Sequence, residues 1–70
     1  MDRLPVSSSN LASVGYDEAG QVLEVAFRHG GVYQYVGVSA AVFHEFMAAA
    51  SLGRYLARNI KPRYPFRRVD

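Results

Sequence analysis

The sequence predicts an α+β fold, in which a three-stranded antiparallel β-meander is followed by two α-helices packed on one face of the sheet. Up to Val36, apolar and polar residues alternate, which is the period of a half-buried strand. Beyond Ser39, apolar residues recur at intervals of three and four, which is the period of an amphipathic helix. Strands followed by helices are typical of α+β domains with a helical layer on one side of the sheet.

Length and composition limit the chain to one core. The chain has 70 residues, 50% of them apolar, and it includes five Tyr and four Phe. A chain this short buries only about 60% of its unfolded surface, which is enough for one domain and too little for two. We therefore predict a single domain over residues 1–70, with residues 1–6 and 67–70 poorly ordered.

The absence of cysteine excludes a disulfide framework and a thiolate metal site. Small secreted domains usually depend on such cross-links, so we expect a cytoplasmic protein of bacterial type. The first 20 residues lack the basic and apolar pattern of a signal peptide. No apolar run approaches the roughly 20 residues that cross a bilayer, and we expect no membrane association.

The first two predicted strands form a hairpin. Leu11–Tyr16 is the first strand, and Gln21–Arg28 alternates well enough to be the second. The turn Asp17–Gly20 between them has Asp at its start and Gly at its end, and we expect that Gly to adopt a positive φ. A four-residue turn would place Tyr16 opposite Gln21.

The third predicted strand, Val32–Val36, follows a break at His29–Gly31. The length of this second loop decides which side chains face the helices, because a shift of one residue inverts a strand. An odd loop directs Tyr33 and Tyr35 toward the helices, whereas an even loop buries Gln34. Burying an amide without partners costs a few kcal/mol, so we predict that both tyrosines belong to the helix-facing layer.

The helices are predicted to begin after Ser39 and Ser51, whose hydroxyls can cap the first turn. The first apolar stripe consists of Val42, Phe43, Phe46, Met47 and Ala50, and the second of Leu52, Tyr55, Leu56 and Ile60. Pro62 ends the second helix and Pro65 favours an extended tail. Gly53, early in that helix, indicates either a close approach to a neighbouring element or a backbone surface left bare for a ligand.

Charge is distributed unevenly along the chain. Residues 1–50 carry two Arg against five carboxylates, a net charge of −3, whereas residues 51–70 carry six cations against one carboxylate, a net charge of +5. Such a basic segment either attracts an anionic partner or forms a solvated helix face and tail. The candidate residues for nucleic-acid binding are Arg54, Arg58, Lys61, Arg63, Tyr64, Arg67 and Arg68.

The ordered set of residues resembles the KTSC domain family in its stand-alone form. The matching positions run from residue 6 to residue 66 and include the segments Ser8–Asp17, Leu23–Phe27, Gly31–Tyr35 and Asn59–Lys61. Further matches are Val38, Val42, Phe43, Ala50, Ser51, Gly53, Tyr55, Tyr64 and Pro65. The pair Tyr33 and Tyr35 corresponds to the most noted feature of the family. Ser39 replaces a Pro that relatives often carry, and both residues suit a helix start.

The resemblance implies a small α+β domain of unassigned activity. The family name refers to the C-terminus of some lysyl-tRNA synthetases, where such domains are appended, and that attachment implies RNA binding by analogy. Analogy of fold does not give function.

The sequence offers little for catalysis or metal binding. His29 and His44 are isolated from each other, and neither lies near a nucleophile or at a metal-ligand spacing. Asp17 and Glu18 are adjacent in a turn, which does not place them on opposite sides of a substrate. We predict that the protein is not an enzyme, has no catalytic or metal-binding residues and needs no cofactor.

Two functions remain open, and the partner is unknown in both. A protein-interaction module is favoured, because the third strand would leave a sheet edge open to a protein partner or to homodimerisation, and a groove beside Tyr33 and Tyr35 can receive a peptide. The alternative is an RNA or single-stranded nucleic-acid module that uses the basic C-terminal helix and tail, since guanidinium groups bind phosphates and aromatic rings stack on bases. A third hypothesis is that the domain is a structural appendage without a specific ligand.

Overall fold

The computed structural model describes all residues from 1 to 70. Five antiparallel strands form one sheet in chain order: β1 (Leu4–Pro5), β2 (Leu11–Asp17), β3 (Val22–Phe27), β4 (Val32–Val36) and β5 (Phe66–Arg68). Two helices, α1 (Ala40–Met47) and α2 (Leu52–Tyr55), lie between β4 and β5 in the chain. Helix α2 runs directly into a π-helical segment, Leu56–Ile60. No helix is long and apolar enough to span a bilayer.

The prediction of a three-stranded meander is wrong, because two short edge strands complete the sheet. Strand β1 pairs with β2, and β5 pairs with β4. Beyond the ends of β5, the amide of Val36 donates to the carbonyl of Pro65 over 2.9 Å. The amide of Val69 likewise donates to the carbonyl of Val32 over 2.8 Å. Strands this short show no alternation, and they form because their longer neighbours offer main-chain groups that require partners.

The edge of β4, which was predicted to be open, is therefore occupied by β5. The outer strands are now β1 and β5, and both are short. Pro5 lies in β1, and Arg67 and Arg68 lie in β5. Short length, proline and charge are features that discourage further strand pairing. Residues 1–6 and 67–70 were expected to be poorly ordered, and this expectation remains a prediction.

The core lies between the sheet and the helical layer. It contains nine buried residues: Leu11, Val14, Leu23, Val25, Tyr35, Val38, Phe46, Leu56 and Ile60. Tyr16 extends this core toward α1, because its ring stacks on Phe43 with the centroids 4.4 Å apart. The Tyr16 hydroxyl donates to the carbonyl of Val38 over 2.6 Å, so the polar end of the ring is also satisfied.

The first hairpin differs from the prediction in register. Tyr16 lies opposite Leu23 rather than Gln21, which is a shift of two residues along β3. A shift of two leaves Val14 and Tyr16 on their predicted face. The positive φ of the turn, 55°, belongs to Gln21 and not to Gly20. The carbonyl of Gln21 accepts a hydrogen bond from the amide of Val38 over 2.9 Å, which helps to hold this conformation.

The second hairpin has the predicted odd loop. Ala26 pairs with Val32, so five residues separate the paired ends. Tyr33 lies opposite Val25 and Tyr35 lies opposite Leu23. The prediction that both tyrosines face the helical layer is confirmed.

The two predicted helix caps are also confirmed. The hydroxyl of Ser39 accepts from the amide of Val42, and the hydroxyl of Ser51 accepts from the amide of Arg54, each over 3.3 Å. At Gly53 a Cβ atom would lie 3.1 Å from the side-chain nitrogen of Asn10, just before β2. This neighbour is the end of one exposed side chain, and the contact favours the close-approach interpretation of Gly53.

Candidate binding groove

An open groove lies where the helix-facing side of β3, β4 and β5 extends beyond the helical layer. Its volume is about 360 Å³, within the range of sites that bind small molecules or side chains. The lining residues are Phe27, His29, Tyr33, Tyr35, Lys61 and Phe66. We call this feature the aromatic groove.

Strand alternation brings the rings of the aromatic groove together. Tyr33 and Tyr35 lie two residues apart on β4 and point to the same side. Phe66 of β5 lies opposite Tyr35, and Arg68 lies opposite Tyr33. Phe27 ends β3 on this same side, next to Tyr33. The groove therefore depends on β5, which supplies its outer wall.

The rings contact one another mainly through tilted and edge-to-face arrangements. Phe27 and Tyr33 are nearly perpendicular, with centroids 5.6 Å apart. Phe66 lies 5.9 Å from Tyr33 and 6.0 Å from Tyr35, and both pairs are tilted. His29 stacks on Phe27 at 5.6 Å. These are favourable aromatic geometries, so the walls of the groove are mutually supported.

Exposure rises from the floor of the groove to its rim. Tyr35 is 2% exposed and forms the floor, and burial, assisted by the neighbouring Tyr33, raises the pKa of its hydroxyl. Phe66 at the rim is 62% exposed although its ring contacts those of Tyr33 and Tyr35. A ligand that covers Phe66 would remove a large apolar surface from water.

Two cations border the groove. The Nζ atom of Lys61 lies 5.3 Å from the centroid of the Phe27 ring, and the Cζ atom of Arg68 lies 5.8 Å from that of Tyr33. Both distances allow cation–π attraction. The residues that line the groove include no Asp or Glu. The chemistry of the site is therefore aromatic and cationic.

The other basic candidate residues lie elsewhere. Arg54 and Arg58 line a separate depression of about 240 Å³ next to Tyr55. Arg63 is exposed in the turn after the π-helical segment, and Tyr64 is half-buried against the core. The basic face predicted from the sequence is therefore divided, and of its cations only Lys61 and Arg68 border the aromatic groove.

Arg67 lies on the opposite side of the sheet, in a polar row that crosses β5, β4 and β3 and ends at Arg3, just before β1. Its Nε and Nη2 atoms donate to the side-chain oxygen of Gln34 over 2.9 and 2.7 Å. Gln34 donates to one carboxylate oxygen of Glu24 over 2.8 Å, and Arg3 donates to the other over 2.6 Å. Because Arg67 is engaged in this row, it cannot serve the groove.

Glu24 is ionised in the centre of this polar row. Burial alone would raise the pKa of its carboxyl, but the hydrogen bonds from Gln34 and Arg3, together with the positive charge of Arg3, outweigh burial. The pKa of Glu24 therefore lies below its usual value. The row stabilises the sheet and has no direct contact with the groove.

Sequence reasoning missed three residues of the groove. Phe27 was placed only within the alternating second strand, His29 was considered only for catalysis and metal binding, and Phe66 was not among the candidate residues. The faces of β3 and β4 place Phe27 beside Tyr33, and this signal was available from the alternation. The position of Phe66 was not available, because it follows from the pairing of β5 with a strand some 30 residues earlier.

The chain is similar to a known domain family and to a solved structure of a member of that family. A KTSC domain model matches residues 7–64. The crystal structure of a KTSC domain protein from Yersinia pestis superimposes with a TM-score of 0.94 at 42% sequence identity. The match covers 99% of this chain and 97% of that one.

Two curated bacterial proteins are similar to the chain over most of their length. An uncharacterized protein of Stutzerimonas stutzeri is 41% identical over 71 residues, which cover all of both chains. A protein of Tsukamurella paurometabola is 42% identical over 60 residues, which cover 86% of this chain and 90% of that protein.

Proposed function

The chain belongs to the KTSC domain family, and from that premise we propose that it is a non-catalytic protein-interaction module that binds an extended segment of a partner in the aromatic groove. The observation that carries this proposal is the exposed ring of Phe66 at the rim of a preformed aromatic site. Aromatic anchors in pockets supply most of the binding energy in many protein interfaces. A partner side chain packed against the exposed side of the Phe66 ring would provide such an anchor.

The geometry supports insertion into the groove rather than pairing at a sheet edge. Strand β5 covers β4, and the outer strands β1 and β5 offer only two and three residues for pairing. β-Addition derives its affinity from a row of main-chain hydrogen bonds, which so short an edge cannot supply. The partner therefore docks through side chains.

The proposed lack of catalysis rests on the chemistry of the groove. Lys61 and Arg68 lie over ring faces, and the side chain of His29 contacts the carbonyl of the adjacent Gly30. No carboxylate lies in the lining to form an acid–base pair with His29. The arrangement is suited to holding a ligand and not to transferring a proton.

Binding of single-stranded RNA is a second candidate, since Lys61 and Arg68 lie beside aromatic rings. The expectation that domains of this family are appended to lysyl-tRNA synthetases also supports RNA binding, by analogy alone. Base stacking requires open ring faces and a continuous cationic track along the backbone. Here Lys61 and Arg68 already cover faces of Phe27 and Tyr33, and Arg67 lies on the opposite side of the sheet. A protein partner is therefore favoured.

The substitution Phe66→Ser tests the proposal. Peptides selected from a displayed random library by the wild-type domain are titrated against both proteins. We expect the variant to lose about tenfold or more in affinity, as for an aromatic anchor that becomes buried when the partner binds. Leu4→Ser is the matched control, because Leu4 is 71% exposed on the other edge strand and far from the lining residues. Failure to select any peptide, or equal binding by the Phe66 and Leu4 variants, would refute the proposal.

A further inference from the structure

We propose that the partner segment is acidic, with a carboxylate next to an aromatic or aliphatic side chain, and that this carboxylate replaces Asp70 on Arg68. The inference rests on the proposed function and specifies the chemistry of its ligand. It combines three features of the groove: the unpaired positive charge of Lys61, the internal ion pair at its rim and the limited extent of its cationic surface.

The first feature is the charge around the groove. Lys61 and Arg68 lie on its border and no acidic residue lines it. Lys61 has no carboxylate within salt-bridge distance, since the only ion pairs of the protein are Arg3–Glu24 and Arg68–Asp70. A negatively charged segment would be attracted to Lys61, and Lys61 would not have to break an existing ion pair to bind it.

The second feature is the ion pair between Arg68 and Asp70. The Nε atom of Arg68 donates to a carboxylate oxygen of Asp70 over 2.8 Å. Asp70 shows that a carboxylate can bind Arg68 while this guanidinium remains over the Tyr33 ring. The two side chains are 59% and 37% exposed, and ion pairs with such exposure contribute little net stability. An incoming carboxylate can therefore exchange with Asp70 at small cost.

The third feature is the size of the cationic surface. Only two of the basic candidate residues border the groove, whereas Arg54 and Arg58 line another depression and Arg67 contacts Gln34. Two localised cations match one or two carboxylates beside an anchor side chain. A polyanion such as RNA would have to contact several cations in succession along its backbone, and the basic residues of this protein are too widely separated for that.

Three synthetic peptides test the inference. All are short, blocked at both ends and carry a central Phe, which is flanked by Asp and Glu, by Asn and Gln, or by Lys. We expect the acidic peptide to bind at least about tenfold more tightly than the basic one at low salt, with the neutral peptide between them. Raising the salt from about 50 mM to about 500 mM should reduce this preference, because the cations are exposed.

Substitutions at the rim identify the groups that recognise the carboxylate. Arg68→Gln and Lys61→Gln should each lower the affinity for the acidic peptide severalfold and leave the affinity for the neutral peptide nearly unchanged. Asp70→Asn should raise the affinity for the acidic peptide severalfold, because it removes the internal carboxylate that competes for Arg68. Arg58→Gln is the matched control, since Arg58 carries the same charge outside the groove and should change neither affinity.

The outcomes separate this inference from the proposed function. Equal affinity for the three peptides, with all three lost in Phe66→Ser, would overturn the acidic preference and leave the interaction site standing. No gain on Asp70→Asn would overturn the exchange with Asp70. Tighter binding of a short oligouridine than of the acidic peptide, with a loss on Arg58→Gln, would overturn both and favour RNA.

Discussion

At the scale of single residues, Glu24 shows how this small protein tolerates a buried charge. Glu24 is only 5% exposed, and it is the only charged residue that is buried in this protein. Such a group is costly unless it is paired and hydrogen-bonded. Arg3 and Gln34 each satisfy one carboxylate oxygen, and no buried side-chain nitrogen or oxygen lacks a partner. The alternation of the predicted strand Gln21–Arg28 places Glu24 on the face opposite to Leu23 and Val25, but it does not indicate that Arg3 would cover the carboxylate.

The substitution Glu24→Gln tests the contribution of this carboxylate. The folded pKa lies below the unfolded value of about 4.3, so the stabilisation is fully present above about pH 5 and is lost as the pH falls through the folded pKa. We expect the variant to be about 1–2 kcal/mol less stable near pH 7, with the difference narrowing below about pH 4. Urea unfolding across this range measures the effect, and Glu18→Gln in the exposed first turn is the control. A difference that does not change with pH would contradict the account.

At the scale of elements, β2 contains an irregularity that the alternation alone did not reveal. Leu11 pairs with Phe27 and Ser13 pairs with Ala26, so the register shifts between them. A bulge of this kind allows Leu11 and Val14 both to reach the core although their positions differ by an odd number. Period-two reasoning therefore describes the strand beyond Ser13 and fails at its start.

Strand β2 also contains the contact that holds the N-terminal segment. A Cβ atom on Gly15 would lie 2.5 Å from the carbonyl oxygen of Asp2 and 3.1 Å from Cγ of Arg3. Glycine is therefore required here for the close approach of another backbone. This requirement explains why a glycine occupies the middle of the strand.

The substitution Gly15→Ala should displace this segment and separate β1 from β2. We expect a loss of about 1–3 kcal/mol in the free energy of unfolding, as for other overpacked sites. Hydrogen exchange at the amide of Val6, which donates to Ala12 over 3.2 Å, should also become faster. In a chain that lacks residues 1–3, the same substitution should cost much less, because its clash partners are gone. An equal loss in both backgrounds would show that the cost arises elsewhere.

At the scale of the whole molecule, the fold separates residues that are neighbours in the sequence. Arg67 and Arg68 are adjacent, but alternation along β5 sends the first to the polar row and the second to the aromatic groove. The sequence predicted the central hairpin and the faces of Tyr33 and Tyr35, because these follow from local periodicity. It predicted a groove beside Tyr33 and Tyr35 but not the outer wall of that groove, because Phe66 reaches its neighbours only through long-range pairing with β4.

The most direct test of the account is a map of the amides that respond when the acidic peptide is titrated into an isotope-labelled domain. If the aromatic groove is the binding site, the largest chemical-shift changes will occur at Tyr33, Lys61, Phe66 and Arg68. Amides of the depression around Arg54 and Arg58 should change little. Changes concentrated at that depression, or no saturable change in the groove, would contradict the assignment of the groove as the binding site.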